Sequence, residues 1–417
     1  MKLSGSGRFV LACAVSVAMA LGMTSCGGGT VGYLWVLEGK TAANSSGNTI
    51  TGYKIDNYSG NLTEIVHSPF TSGGNSPIMG VVKPGGRYVY VVNQNDAVNS
   101  VAEFSVGGDG VLTFQQAFAT QGGTPQWMEL STGGDYLYVL DSVSPARNAA
   151  NAAPTCTTPT GLLAAPCGSI TVFSVDSDTG RLTLVQNQSV KVNGTFLTYT
   201  TTGPAPTRLK VTSGGSVIVV NGDQTVSSYL VGTNGQLTVS ANSTQIIDQT
   251  QAINITSITT GGSYLYLTDS LTNRILQYTV STGGVLQPVT GGQVANFPLN
   301  VVPVWTLTDS SSKFLYVLNQ NNGSTTAPKS SISVYTIQTN GNLTPLPSAL
   351  NPFAVGSGPV CMVEDPTHQY VYTSNQDGTV TGYHIDHTQG VLTSLQRGST
   401  FQAAGRPSCL ILSGITS

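Results

Sequence analysis

The stretch Gly261-Gly262-Ser263-Tyr264-Leu265-Tyr266-Leu267-Thr268-Asp269 decides how this chain folds, because close relatives of it return along the sequence. They are Tyr33-Leu34-Trp35-Val36, Tyr88-Val89-Tyr90-Val91, Tyr136-Leu137-Tyr138-Val139, Val217-Ile218-Val219-Val220, Phe314-Leu315-Tyr316-Val317 and Tyr370-Val371-Tyr372-Thr373. Seven copies at a spacing of about fifty residues indicate a repeat architecture. Each copy alternates aromatic with aliphatic residues, which suits a strand buried on both faces better than a helix.

Working outward, a second strand follows each copy, as in Val101-Ala102-Glu103-Phe104-Ser105-Val106 and Ile275-Leu276-Gln277-Tyr278-Thr279-Val280. A turn comes next, such as Asp178-Thr179-Gly180, where glycine supplies the positive φ of a tight hairpin. A Leu-Thr pair then opens an outer strand at Leu62, Leu112, Leu182, Leu237, Leu343 and Leu392. On the other side, a proline stands eleven residues before the first aromatic position: Pro77, Pro125, Pro206, Pro303 and Pro359. Proline fits the first residue of a strand, where its missing N–H costs no ladder bond. Four strands per repeat without helical periodicity predict an all-β fold, a seven-bladed β-propeller of four-stranded antiparallel blades. Pro407 starts an eighth inner strand that lacks a following partner, whereas Tyr33 starts a partner that lacks an inner strand. The strand Pro407 to Leu412 is therefore expected to complete the first blade and close the ring.

Residues 1–25 read as a targeting segment, with Lys2 and Arg8 ahead of the apolar run Phe9 to Met23. Met23-Thr24-Ser25-Cys26 resembles a bacterial lipoprotein processing site, which implies lipidation of Cys26, a tether over 26–30 and a propeller over 31–417. The expected location is the cell envelope, on the outer membrane or cell surface, with the membrane engaged through the lipid. Charged residues make up 8% of the chain, against about 25% in soluble domains. Without Lys2 and Arg8 it carries 14 basic and 19 acidic residues, a net charge of −5. Phosphate backbones need clustered Lys and Arg, so nucleic acid is not an expected partner.

The largest departure from the repeat is an insertion at 144–168 in the third blade, rich in Ala, Pro, Thr and Asn. Cys156 and Cys167 lie within it and are expected to form a disulfide that staples a loop with little apolar content. Cys361 and Cys409 both stand two residues after an inner-strand proline. Equivalent positions face the same way around a ring, so two buried thiols are expected there rather than a bond.

With Tyr88-Val89-Tyr90-Val91-Val92-Asn93, Phe104-Ser105-Val106 and Gly110-Val111-Leu112-Thr113, the chain resembles the lactonase family of seven-bladed propellers, whose repeats are similar to YVTN repeats. The resemblance spans nearly all of 31–417 and implies a 6-phosphogluconolactonase-like fold. Family activity is associated with Arg and His after the inner-strand proline; here Pro359 is followed by Val360 and Cys361, Pro407 by Ser408 and Cys409, and Pro125 by Gln126 and Trp127. His67, His368, His384 and His387 fall on outer strands or turns. His384-Ile385-Asp386-His387 matches a hairpin shoulder rather than a metal cluster, and Asp176-Ser177-Asp178 reads as a turn rather than a calcium loop. No metal and no cofactor are expected.

Function is expected on the face where inner strands begin, since loops on a rigid scaffold carry function. Trp127, Arg208, Trp305, Arg406 and Asp269 are the candidate ligand-binding residues there, because aromatic platforms with a cation suit sugars or anionic small molecules. Glu38 and Asp141 are the candidate carboxylates for activating water. The reading is an exported, monomeric binding or interaction propeller without the family's Arg-His pair, taking a small-molecule, sugar or protein ligand. A lactonase, that is a carboxylic-ester hydrolase acting on a sugar or other lactone, is the alternative. A scaffold with no small-molecule site is the third.

Overall fold

The computed structural model describes residues 29–39, 48–94, 99–145, 155–156, 165–192, 195–248, 250–296, 298, 301–321, 323 and 329–415. The targeting segment and Cys26 lie outside them, while Thr30, assigned to the tether, already begins a strand, Thr30–Gly39. Every regular element among the described residues is a strand. The inner strands of blades one to seven are Arg406–Gly414, Pro77–Val82, Gly123–Leu130, Arg208–Val211, Ile255–Gly261, Val301–Thr308 and Pro359–Glu364. Each pairs antiparallel with the aromatic strand of its blade, followed by a third and an outer strand.

The closure is as expected. Thr30–Gly39 pairs with Arg406–Gly414 in the register Leu34 to Leu412, Trp35 to Ile411 and Leu37 to Cys409. One core cluster runs across the seam, joining Trp35 and Ile411 of blade one with Val89 of blade two and Tyr372 of blade seven. In blades one, three, six and seven the outer edge is broken into two pieces that both pair with the third strand. In blade three the gap also holds a small hairpin, Asn187–Val192 with Thr195–Leu197.

The repeated aromatics join the blades as well as filling them. Tyr88 and Tyr90 donate their hydroxyls to the carbonyls of Asp178 (2.6 Å) and Gly180 (2.5 Å) in the next blade. Tyr33 and Trp35 reach Gly108 and Gly110 in the same way, Tyr264 and Tyr266 reach Thr339 and Gly341, and Tyr370 and Tyr372 reach Asn57 and Gly60. Gly180 needs its φ of 72°, and a Cβ on it would lie 2.4 Å from the Tyr88 ring. The repeat thus encodes a clip between neighbouring blades, with a glycine at its receiving end. In blade four Ser216, not Val217, takes the first position, because Asn221 bonds Thr225 and Ser227 as Asn375 of blade seven bonds Thr379 and Thr381.

Cys156 and Cys167 form the expected disulfide, with Cα atoms 5.0 Å apart. It holds Thr155–Cys156 against an extension of the third strand of blade three, Ala165–Val175. Cys361 and Cys409 are also bonded, with Cα atoms 5.0 Å apart, which corrects the expectation of two thiols. The symmetry argument fails at the hub because inner strands converge on the axis. There equivalent Cα atoms of neighbouring blades come within disulfide range.

Candidate functional site

We call the face where inner strands begin upper and the face where they end lower. Near the upper end, the residues Met79, Trp127, Arg208, Ser257, Trp305, Cys361 and Cys409 occupy one register position, each opposite the same position of its aromatic strand. Trp127 and Trp305 belong to blades three and six, yet their ring centroids are 5.2 Å apart. The two indoles meet across the axis and partition the channel. The Arg208 guanidinium lies 4.9 Å from the Trp127 ring centroid, a cation over an aromatic face. Its Nε and Nη1 donate to the carbonyls of Thr256 (2.8 Å) and Thr207 (2.9 Å). Among the described residues it forms no ion pair. Arg208 sits deep in the molecule but keeps part of its surface open to water, and burial lowers its pKa to about 10, so it remains charged at neutral pH.

Below this partition lies a cavity of about 530 Å³ to which all seven inner strands contribute. Its roof is Trp127 and Trp305, and its walls include Met79, Met128, Met362, Ile258, Leu307 and Ile411. Four polar features interrupt them, Thr259 being one. Glu129 is paired with Lys210 and accepts the Val211 N–H at 2.8 Å. Ser257 and Thr306 hydroxyls bond to each other at 2.8 Å. Glu364 stands at the lower end, its side chain 9% exposed. Burial pushes its pKa up to about 7, with the Asp309 carboxylate adding to the rise, while the Ser310 amide and His387 pull the other way. Val82, Glu364 and Leu412 also line a second hollow of about 340 Å³ on the lower face, so the cavity continues in that direction.

The candidates drawn from sequence separate into two groups. Trp127, Arg208 and Trp305 come together as described. Arg406 is exposed on the upper rim and bonds Gln376. Asp269 is buried and occupied: it accepts the Asn254 N–H at 2.9 Å and pairs with Arg274 at 3.3 Å. Glu38 is fully buried, its oxygens taken by the hydroxyls of Thr49 and Thr51 (2.6 Å each) and the Ala404 N–H (2.9 Å). Asp141 is likewise fully buried, with the Thr171 hydroxyl at 3.3 Å. Burial raises its pKa to about 7, against hydrogen bonds from Thr120, Thr171 and the Gly122 amide that lower it.

These three acids share one register position with Asn93, Asn221, Asn319 and Asn375. At each of the seven sites the side chain fastens the start of the third strand or the loop leading to the inner strand. None of the three lines the cavity. Glu364 was not singled out from sequence, although it is visible there: the register equivalents in the other blades are Val82, Leu130, Val211, Thr260, Thr308 and Leu412. Of the histidines, His384 packs edge-on against Tyr370 and His387 lies 3.9 Å from Asp309. No group of three or more potential metal ligands occurs among the described residues.

Compared with known families, residues 73–146 and 262–411 match the lactonase family, described as a seven-bladed β-propeller. The chain belongs to this lactonase family. The match leaves out residues 1–72 and 147–261, which hold the aromatic and third strands of blade one, the extra hairpin of blade three and blade four. Among solved structures, the Pseudomonas aeruginosa periplasmic gluconolactonase is 16% identical with a TM-score of 0.67, covering 93% of this chain and 100% of its own. A Lactobacillus plantarum protein is 16% identical at 0.68, covering 92% and 100%. A proposed 6-phosphogluconolactonase from Bacteroides fragilis is 17% identical at 0.66, covering 92% and 98%. Identities this low speak for the lactonase fold alone. No curated protein matches the sequence.

Proposed function

We propose that this lactonase-family propeller is a small-molecule-binding module whose seat is the channel cavity beneath the Trp127–Trp305 partition. The cavity itself carries the reading: its volume falls in the range of about 300–1,000 Å³ usual for ligand pockets, and its walls are largely apolar with a few placed polar groups. The positions after the inner-strand prolines, to which the family resemblance assigns an Arg-His pair, hold Trp127, Trp305, Met79, the Cys361–Cys409 disulfide and Arg208, without a histidine. The targeting segment and Cys26 support export and tethering at the envelope, where such a module meets ligands from outside the cell.

Hydrolysis of a lactone is the second reading. It is favoured by the gluconolactonase among the structural neighbours and by Glu364, a carboxyl beside the cavity whose pKa of about 7 suits a general base. Residues 29–417 contain the whole closed ring and are the material to test. In a pH-indicator assay against sugar and aliphatic lactones we expect no turnover above background, and in a thermal-shift screen we expect ligands whose effect disappears in Val363→Trp, which fills the cavity wall. Turnover that is lost in Glu364→Gln but retained in Glu38→Gln would replace the binding reading with the hydrolase.

A further inference from the structure

Resting on the cavity as the seat, we propose that its ligand is a protonated amine carried on an apolar body, the ammonium at Glu364 and the body beneath the indoles. The charges inside the cavity point that way. Glu129 is neutralised by Lys210, and the Ser257 and Thr306 hydroxyls are engaged with each other. Glu364 is left as the carboxyl without a matching fixed cation. Its contacts are with Ser310, through both the N–H (3.4 Å to Oε1) and the hydroxyl, and with the half-exposed His368 Nδ1, 3.5 Å from Oε1. Arg208, which would suit an anion, packs on the Trp127 ring at the level of the partition and does not line the cavity.

The surroundings reinforce this choice. Asp309 packs close enough to raise the Glu364 pKa, and its own carboxylate is held by the amides of Lys313 and Phe314 (2.8 and 2.7 Å). Asp365 beside it is held by the Tyr370 amide at 2.6 Å. Both carboxyl groups are thereby held in place near the lower end. Against them stand His368, His387 and, on the rim of the outer hollow, Lys83. Overhead, the indole faces carry negative quadrupole potential that favours a cation and disfavours an anion. An ammonium in this cavity would gain a charge pair with Glu364, whereas a carboxylate would meet it as a like charge.

The test uses three probes with one body and three charges: 2-phenylethylammonium, 2-phenylethanol and phenylacetate, titrated calorimetrically into residues 29–417. At about pH 8 we expect the ammonium to bind at least about tenfold more tightly than the alcohol, and phenylacetate to bind most weakly. Lowering the pH to about 5.5 protonates Glu364 and should weaken the ammonium by about tenfold while leaving the alcohol unchanged. Glu364→Gln should bring the ammonium down to the alcohol without affecting the alcohol, and Val363→Trp should abolish all three. Phenylacetate binding as well as the ammonium, or a charge preference that survives Glu364→Gln, overturns the amine. Failure of all three probes with the folded protein removes the seat itself, and the proposed function with it.

Discussion

Two sets of equivalent positions, one at the end of the aromatic strands and one at the end of the inner strands, contrast sharply in chemistry. The first reads Glu38, Asn93, Asp141, Asn221, Asp269, Asn319 and Asn375, polar in every blade and engaged with hydroxyls, a backbone amide or, at Asn93, the Ser72 carbonyl. The second reads Leu412, Val82, Leu130, Val211, Thr260, Thr308 and Glu364, with a single acid. An acid that recurs in register fastens the fold, whereas an acid that appears once faces a space the repeat does not fill. In a repeat protein, departures from the pattern are where ligand chemistry should be sought.

The largest expected effect tests the repeat side. Truncation after Ala404 deletes the inner strand of blade one, including Cys409, Leu410 and Ile411, each at most 3% exposed. At about 1.5–3 kcal/mol per buried side chain the loss rivals the whole stability of a domain, about 5–15 kcal/mol. We expect no cooperative melting transition. A variant that still melts near the parent temperature would mean that the seam contributes little and that closure is not part of the repeat's role.

Much of this architecture is legible in the sequence because each feature rests on local rules. Aromatic and aliphatic strands, turn glycines and Leu-Thr openings locate all seven blades, blade four one residue out of register, and the unpaired Pro407 strand locates the seam. What escapes is set by convergence at the axis, which no register carries. Trp127 and Trp305 can be aligned to one position, but that they meet depends on the channel's width. The Cys361–Cys409 bond has the same origin. Reading Glu38 and Asp141 as water-activating acids rests on residue type and on their place at the loop entries of the upper face. Setting them beside Asn93, Asn221, Asn319 and Asn375 points instead to the fastening role that the structure displays.

A smaller effect sharpens the contrast within the first set. Asp141 Oδ1 and the nearby Ser169 hydroxyl are buried without partners, whereas Asn375 bonds both corresponding hydroxyls, Thr379 at 3.1 Å and Thr381 at 3.0 Å. Asp141→Asn installs that arrangement in blade three and should stabilise the protein by about 1–2 kcal/mol at about pH 8. The sign follows from proton counting. With its folded pKa raised from 3.8 to about 7, Asp141 holds more protons folded than unfolded between those values, so stability falls as pH rises through that window and levels above it. Urea unfolding across pH should find that slope reduced in Asp141→Asn, the remainder being due to Glu364, raised from 4.5 to about 7. An unchanged slope would indicate that Asp141 does not titrate in this range.

The smallest effect concerns the clips. Tyr90 donates to Gly180 at 2.5 Å, but the hydroxyl of its blade-three equivalent, Tyr138, is buried without a partner. Tyr90→Phe orphans a buried carbonyl and should cost about 1 kcal/mol. Tyr138→Phe removes an orphan hydroxyl and should be neutral or slightly stabilising, measured side by side in urea. Equal losses would mean that the blade-three clip is complete and the ring uniform at this level. Unequal ones would place the weakest join between blades three and four, beside the stretch 147–261 that the family match leaves out. Departure from the pattern would then mark a site of relaxed packing as well as a site of chemistry, and only the channel-facing departures, Glu364 among them, would remain candidates for ligand contact.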